Sequence, residues 1–144
     1  MNVKEKVIIL LSGGMDSCVT AGIANKNNIE LAFLHMNYGQ LTEKRELISF
    51  NKISNFYNVK NKLIIDVTHL SKIGSSSLTD SNIEVPKANL NNHQIPATYV
   101  PFRNANILSA AVSWAEAINA KQIFVGAVEE DSSGYPDCRS SFFN

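Results

Sequence analysis

The stretch that decides the fold lies near the start of the chain, at residues 6–24, and reads KVIILLSGGMDSCVTAGIA. Residues 6–11 are almost entirely apolar and β-branched, which is typical of a parallel strand buried on both faces. The run is broken at residues 12–14, and from Asp16 apolar residues recur at helical spacing as far as the Asn-rich segment near Asn27. The stretch therefore predicts a buried strand, a glycine turn and a helix.

The same alternation continues along the chain. Residues 29–36 and 62–67 are further buried runs that predict strands, residues 41–57 and 104–120 have the spacing of amphipathic helices, and residues 122–126 predict a short fourth strand. This order, with short connections, predicts a parallel sheet with helices on both faces and right-handed crossovers. We therefore predict a Rossmann-like α/β fold, in which ligands collect beyond the carboxyl ends of the strands.

Residues 68–102 interrupt this pattern. Periodicity disappears there, and serine, asparagine and three prolines dominate. Within a compact domain, a segment of that length is more often a functional lid or insertion than a filler. We therefore predict a single domain over residues 1–144 that carries a long loop or insertion at 68–102.

Length and composition exclude several classes of protein. A chain of 144 residues fits one domain, and its 13 basic and 13 acidic side chains give a net charge of zero. A chain-wide attraction to nucleic acid or to a membrane therefore has no basis, and we expect neither as a partner. The first apolar run is too short for a signal sequence, which predicts a soluble, cytoplasmic protein. Cys18 and Cys138 alone are too few for a disulfide framework or a structural zinc site, so we expect no metal site in this chain apart from any Mg²⁺ that arrives with a nucleotide.

The glycine turn after the first strand is the most informative candidate site. Gly13 and Gly14 permit a tight turn that leaves amide N–H groups uncovered, and the following helix adds the positive end of its dipole. Ser12 and Ser17 can each donate a hydroxyl to a phosphate oxygen, while Asp16 fits either a helix cap or a ligand of Mg²⁺. The turn lacks the lysine of a Walker A loop and the spacing of a dinucleotide fingerprint. It predicts an anion site, with an ordinary strand-to-helix corner as the alternative.

The hexapeptide SGGMDS, residues 12–17, resembles the pyrophosphate-binding loop of the PP-loop ATP pyrophosphatase group. Members of that group cleave ATP between its α and β phosphates, attach AMP to a carbonyl or carboxylate oxygen, and let a nucleophile displace the AMP. The resemblance implies an adenine nucleotide alpha hydrolase-like fold and a site for ATP with Mg²⁺. The residues that it implies for nucleotide binding are Leu11, Ser12, Gly13, Gly14, Met15, Asp16, Ser17, Cys18, Val19, Thr20 and Ala21.

Five further motifs follow in order and narrow the resemblance. They are NYGQ at residues 37–40, SLTD at 77–80, IEVP at 83–86, TYVPFRN at 98–104 and SGYPDCR at 133–139. In this order they resemble the 7-cyano-7-deazaguanine synthase family. The resemblance implies that 7-carboxy-7-deazaguanine is adenylated by ATP and converted with ammonia to the nitrile, on the route to the queuosine base of tRNA.

Four residues are predicted to be catalytic. Arg103, at the start of a predicted helix, and Arg139, in the polar tail, can each pair bidentately with a carboxylate or a phosphate; otherwise they are exposed surface arginines. Asp16 and Ser17 of the glycine turn complete the predicted set. All four belong to segments that the predicted sheet brings toward one crevice.

Three residues are predicted to bind the deazaguanine base. Tyr99 and Tyr135 can stack on a purine-like ring, with a role as loop anchors as the alternative. Asp137 can accept hydrogen bonds from the guanine edge, or can serve as an ordinary turn aspartate. We interpret His35 as a strand-end residue near the adenine site.

The resemblance also implies features that this chain lacks. Members of the family continue well past the position of Asn144 and end in a cysteine-rich cluster that binds zinc, and the full-length proteins are expected to form homodimers. We therefore expect a C-terminally truncated, incomplete domain without the zinc ligands. Two other interpretations stay open: another PP-loop adenylating enzyme, for tRNA thiolation or ammonia-dependent amide synthesis, and a non-catalytic nucleotide-binding fragment. The balanced charge argues against a tRNA thiolase.

Overall fold

The computed structural model describes residues 4–26, 29–74, 76–84, 95–127 and 134–144. Its strands are β1 (Glu5–Leu10), β2 (Ile29–Asn37), β3 (Asn61–Asp66) and β4 (Gln122–Phe124). They form one parallel sheet in the order β3, β2, β1, β4. Parts of the IEVP and SGYPDCR motifs lie outside the described residues.

Helices connect the strands in the alternation that the sequence predicts. They are α1 (Met15–Ala24), α2 (Glu43–Phe56), α3 (His69–Ile73), α4 (Arg103–Ile118) and α5 (Ser140–Phe143), with a 3₁₀ turn at Pro136–Cys138 before the last. The predicted Rossmann-like order is confirmed. The main difference is α3, which lies within residues 68–102, where the sequence pattern predicts only a loop; its five residues are too few to show a helical period. Within the described ranges, none of the helices has the length and apolar character to cross a membrane.

The central strand β1 explains the apolar run with which the fold begins. Both of its edges are paired, so that Ile9 lies opposite Phe33 of β2 on one side and Phe124 of β4 on the other. Successive side chains point to opposite faces, with Val7 in one core cluster and Ile8 in another. A strand that is covered on both faces has no solvent-facing positions, which is why its sequence does not alternate with polar residues.

The helices cover both faces of the sheet, as predicted. On one face, Ala21 of α1 and Phe50 of α2 are fully buried in the cluster that contains Val7. On the other face, Ala111 of α4 is fully buried in the cluster that contains Ile8. Burial of a side chain as large as Phe50 contributes about 1.5–3 kcal/mol to stability. These two clusters fix α1, α2 and α4 around the carboxyl end of β1.

The order of the strands produces a crevice at that end of the sheet. Strands β1 to β3 extend the sheet in one direction, and α4 then carries the chain back to place β4 on the other side of β1. In open α/β sheets ligands bind where the strand order reverses in this way. A third cluster, of Met36, Tyr38, Leu70 and Val100, anchors parts of segment 68–102 beside the crevice. The Leu41 N–H also donates to the Leu78 carbonyl at 2.9 Å.

Candidate functional site

A cavity of about 380 Å³ lies at the carboxyl ends of β1 and β2. We call it the sheet-end cavity. Its lining includes Ser12, Gly14, Asp16, Ser17, Tyr38, Glu46, Arg103 and Gly126. Five different segments of the chain therefore meet there: the glycine turn, the NYGQ motif with the start of α2, segment 68–102 through Leu78, the start of α4, and the residues that follow β4.

Gly13 is required by the backbone and by close packing. Its φ of +90° is in the region that L side chains rarely adopt. A Cβ atom at this position would lie 2.8 Å from the Cβ of Ser49 and 3.0 Å from the backbone oxygen of Glu46. The turn is therefore pressed against α2, and only glycine fits there.

At position 14, neither the backbone conformation nor the packing requires a glycine. The φ of Gly14 is −80°, and a Cβ atom here would find only the Ser12 hydroxyl, at 3.5 Å. It is the N-cap residue of α1 and lines the sheet-end cavity. The missing side chain leaves the start of the helix open toward the cavity.

The first turn of α1 presents unpaired backbone donors at this point. Cys18 is the first residue of the helix whose N–H has a helical acceptor, the Gly14 carbonyl at 3.1 Å. The N–H groups of Met15, Asp16 and Ser17 precede it, and no side chain caps the helix. Together with the positive end of the helix dipole, these donors favour an anion.

Two serine hydroxyls lie within the same turn. Ser17 Oγ donates to the Gly14 carbonyl at 2.9 Å, and Ser12 Oγ accepts from the Gly14 N–H at 3.3 Å. The two hydroxyl oxygens are 3.3 Å apart. Ser12 therefore keeps its own O–H for a ligand oxygen, whereas the single O–H of Ser17 is used by the Gly14 carbonyl and would have to turn away from it to reach a ligand.

The structure excludes one of the two roles considered for Asp16. Helix α1 begins at Met15 and is capped by no side chain, so the interpretation of Asp16 as a helix cap is wrong. Asp16 instead belongs to the lining of the sheet-end cavity, in the first helical turn. A carboxylate in that position fits the other role, as a ligand of a hard cation.

Not all of residues 11–21 reach the cavity. Leu11, Ser12, Gly14, Asp16 and Ser17 belong to its lining, whereas the later positions follow α1 away from it. Ala21 is fully buried in the core, and Val19 is 55% exposed. Thr20 donates its hydroxyl to the Asp16 carbonyl at 2.8 Å, and a Cβ at Gly126 would lie 2.9 Å from that hydroxyl. Thr20 and Gly126 thus hold the start of α1 against the end of β4.

Arg103 lies at the start of α4 and lines the cavity, next to Tyr38 of the NYGQ motif. Its Nη1 donates to the phenolic oxygen of Tyr38 at 3.4 Å, and its Cζ lies 5.4 Å from the centre of the tyrosine ring. Burial raises the pKa of Tyr38, and the nearby Arg103 opposes this only in part. Burial lowers the pKa of Arg103, but Tyr38, Asp137 and Cys138 outweigh it, so the pKa is raised and the guanidinium stays charged.

Glu46 of α2 is a cavity residue that the sequence analysis missed. Its carboxylate accepts hydrogen bonds from Gln40 Nε2 at 2.9 Å and from Thr42 Oγ1 at 2.6 Å, while Gln40 Oε1 accepts from the Tyr38 N–H at 2.9 Å. Glu46 thus braces the NYGQ motif against α2. The NYGQ motif indicated that the end of β2 belongs to the site. The spacing of Thr42 and Glu46 by one helical turn was the signal that could have identified Glu46 as well.

His35 lies beneath the glycine turn. Its side chain is 1% exposed, with Nδ1 2.9 Å from the Leu11 carbonyl oxygen and Nε2 3.1 Å from Asn37 Oδ1. The ring also packs on Phe50, with 5.3 Å between ring centres. His35 therefore supports the backbone at the end of β1, and it does not belong to the cavity lining.

Asp137 is buried behind the start of α4. It is 2% exposed, and its Oδ2 accepts a hydrogen bond from the backbone N–H of Asn104 at 2.9 Å. The Asn104 side chain donates to the Asp137 carbonyl at 2.8 Å. These contacts join the 3₁₀ turn to α4 and keep Arg103, the preceding residue, in place. The expected hydrogen bonds from Asp137 to a base stay a prediction.

The remaining predicted residues lie outside the cavity lining. The rings of Tyr99 and Tyr135 face each other, with 5.8 Å between their centres. Tyr135 donates to the Thr98 hydroxyl at 2.5 Å, and Tyr99 Oη accepts from the Phe102 N–H. Arg139 is exposed, with Nη2 3.4 Å from the Gly134 carbonyl. These contacts fit loop anchors, and roles in substrate binding or catalysis stay predictions for all three.

The chain is similar over nearly its whole length to one family of known proteins. A sequence model described as queuosine biosynthesis protein QueC matches residues 6–144. Over 138 residues the chain is 60% identical to a 7-cyano-7-deazaguanine synthase of Chloroherpeton thalassium and 60% identical to one of Chlorobium chlorochromatii, with 96% of this chain covered in both cases. It spans only 61% and 60% of the length of these two relatives. The chain thus belongs to the QueC family of queuosine biosynthesis proteins.

Proposed function

We propose that this chain carries the ATP-activating site of a 7-cyano-7-deazaguanine synthase. The reaction converts 7-carboxy-7-deazaguanine and ammonia to 7-cyano-7-deazaguanine at the expense of ATP. The relatives named above support this assignment, since they bear the name of this enzyme. The motifs of the resemblance support it as well. The homodimer that the resemblance implies stays a prediction.

The observation that carries the proposal is the open glycine turn at residues 12–17. It combines unpaired backbone N–H groups, the O–H of Ser12 and the positive end of α1 at the wall of the sheet-end cavity. This combination suits the phosphates of a nucleotide. Gly14 also fits such a role, because the local fold does not require a glycine there.

The chemistry explains why an anion site is needed. A carboxylate reacts poorly with ammonia because its leaving group would be oxide. When a carboxylate oxygen attacks the α phosphorus of ATP, the bond to the β phosphate breaks and pyrophosphate leaves with the electron pair. Donors that are already in place stabilise this developing charge. Ammonia then displaces AMP to give the amide, and a second activation of the amide oxygen, followed by loss of AMP, gives the nitrile.

Arg103 is the residue that we assign to the acid substrate. Arg103 lines the cavity and its guanidinium remains positively charged, while its interaction with Tyr38 limits its orientation. A planar guanidinium can bind a carboxylate through two parallel hydrogen bonds. The same charge can also stabilise the negative oxygen that forms when ammonia attacks the carbonyl carbon of the adenylated acid.

Asp16 is the residue that we assign to Mg²⁺. Mg²⁺ sites that serve nucleotides commonly use one or two carboxylates together with phosphate oxygens, and Asp16 lies beside the proposed phosphate site. The ion would supply charge compensation to the triphosphate. Zinc is a different case: among the described residues no group of three or more His, Cys, Asp or Glu side chains is arranged to hold a metal. No step is assigned to zinc.

Calorimetric titration with ATP and Mg²⁺, combined with a pyrophosphate-release assay, tests the proposal. We expect Asp16→Asn to weaken productive use of Mg-ATP, and Asp66→Asn, which changes an exposed carboxylate elsewhere, to leave it unchanged. ATP binding without pyrophosphate release, after addition of the acid and ammonia, would favour the non-catalytic nucleotide-binding fragment. Absence of ATP binding in the folded wild-type chain would refute the proposal.

A further inference from the structure

A second cavity, of about 320 Å³, adjoins the glycine turn. We call it the α2-side cavity. It is lined by Ser12, Gly13, Gly14, Thr42, Arg45, Glu46 and Ser49. Four of these residues, Ser12, Gly14, Thr42 and Glu46, also line the sheet-end cavity. The two cavities therefore adjoin along the glycine turn.

One face of α2 forms the wall of this second cavity. Arg45, Glu46 and Ser49 follow Thr42 at intervals of three, four and seven residues, which places all four on the same side of the helix. Gly13 packs against this face, with its missing Cβ 2.8 Å from Ser49. Because that contact fixes the distance between the turn and α2, Arg45 is held beside the turn by a rigid element.

Arg45 carries a positive charge and has no acidic partner among the described residues, in which an ion pair joins Lys6 and Glu30. Its neighbour Glu46 uses its two carboxylate oxygens for Gln40 and Thr42. The guanidinium of Arg45 is therefore available to a ligand in the α2-side cavity.

The glycine turn itself lacks a cation. A Walker A loop neutralises phosphates with its own lysine, and residues 12–17 contain neither lysine nor arginine. Arg103 lines only the sheet-end cavity, where it is held by Tyr38. Across both cavities the lining residues include Asp16 and Glu46, which are acidic, so a triphosphate there keeps a net negative charge even with one Mg²⁺ bound, and a further positive group would offset it.

We infer that Arg45 binds the β and γ phosphates of ATP in the α2-side cavity and retains the pyrophosphate when it leaves. This inference rests on the function proposed above and adds the residue that supplies the missing charge. As the bond between the α phosphorus and its bridging oxygen breaks, the electron pair stays on the pyrophosphate. Arg45 then faces the leaving group, while Arg103 faces the carboxylate in the sheet-end cavity.

Calorimetric binding of inorganic pyrophosphate and of AMP to the chain tests this division. We expect Arg45→Ala to weaken pyrophosphate binding by about ten- to a hundredfold, the range for a lost charged hydrogen bond, and to change AMP binding by less than about twofold. Arg45→Lys should recover part of the loss because it restores the charge without the planar group. Lys44→Ala is the matched control, since Lys44 is an exposed neighbour outside both cavity linings.

The possible results distinguish the role of Arg45 from the proposed function itself. If wild-type chain binds pyrophosphate and Arg45→Ala binds it equally well, the assignment of Arg45 is overturned while the proposed function stands. Equal losses for pyrophosphate and AMP, or an equal loss in Lys44→Ala, would also overturn it, because only a general charge effect would remain. If the wild-type chain binds neither pyrophosphate nor ATP, the proposed function fails as well. Thermal unfolding of each variant verifies that it is folded.

Discussion

The guanidinium of Arg103 lies over the ring of Tyr38, with its Cζ 5.4 Å from the ring centre and its Nη1 3.4 Å from the phenolic oxygen. A cation over an aromatic face is stabilised by about 0.5–2 kcal/mol, and more when water is excluded. The contact joins the start of α4 to the residue that follows β2. It therefore sets where the positive charge sits in the sheet-end cavity.

Substitutions of Arg103 and Tyr38 should show whether the site needs an oriented, planar guanidinium or only a positive charge. Arg103→Lys keeps the charge but loses the planar group, so we expect the KM for the acid substrate to rise about tenfold or more, with the KM for ATP within about threefold. Tyr38→Phe keeps the ring and should have a smaller effect. Steady-state kinetics for both substrates measures the difference. An equal rise in both KM values would show that Arg103 acts on the structure of the whole site.

Gly13 and Gly14 should respond differently to alanine. Gly13→Ala places a Cβ against Ser49 and the Glu46 backbone at a positive φ, and should reduce the free energy of unfolding by about 1–3 kcal/mol. Gly14→Ala meets no clash, and should cost less than about 1 kcal/mol because alanine is a poorer N-cap than glycine. Denaturant unfolding compares them. In an ATP titration, the Gly14→Ala variant should be folded but should bind ATP more weakly than the wild type. Unaltered ATP binding would contradict the proposal that the open start of α1 receives the phosphates.

Removal of the Asp137 carboxylate should destabilise α4. Asp137→Ala leaves the buried Asn104 N–H without its acceptor, and we expect a loss of about 1–3 kcal/mol in the free energy of unfolding. Asp137→Asn keeps an acceptor oxygen and should cost less. Chemical denaturation measures both variants. Full stability of Asp137→Ala, accompanied by a raised KM for the acid substrate, would instead favour a direct role for Asp137 in base binding.

The turn after β3 should contribute to stability in a pH-dependent way. Asp66 Oδ1 accepts a hydrogen bond from the Thr68 N–H at 2.9 Å, and this bond lowers the pKa of Asp66 below its ordinary value of 3.8. The pKa of Asp66 is lower in the folded protein than in the unfolded chain. Its contribution to the free energy of unfolding is therefore present above pH 3.8 and is lost as the pH falls through the folded pKa.

Comparison of the wild type with Asp66→Asn across this range measures the effect. We expect the two proteins to differ in the free energy of unfolding near neutral pH and to converge well below pH 3.8. A difference that does not change with pH would show that the carboxylate charge is not involved.

Some elements were predictable because their signal is local. The apolar run of β1 and the glycines that follow it indicate a buried strand and a turn without reference to the rest of the chain. The short helix α3 was missed because a single turn has no period to detect. Asp16 was ambiguous for a similar reason, since a carboxylate in a first helical turn and a carboxylate at an N-cap have nearly the same sequence pattern.

The order of strands and helices, the parallel sheet and the position of the glycine turn could all be predicted from the amino-acid sequence, because each depends on the spacing of apolar residues or on backbone freedom at glycine. Three relationships became visible only in the folded chain: Arg103 contacts Tyr38, Glu46 and Arg45 lie beside the glycine turn, and Asp137 lies behind Asn104. These contacts join residues that are distant along the chain, or depend on which face of a helix meets the sheet. Their geometry follows from how the layers pack, and no local pattern encodes it.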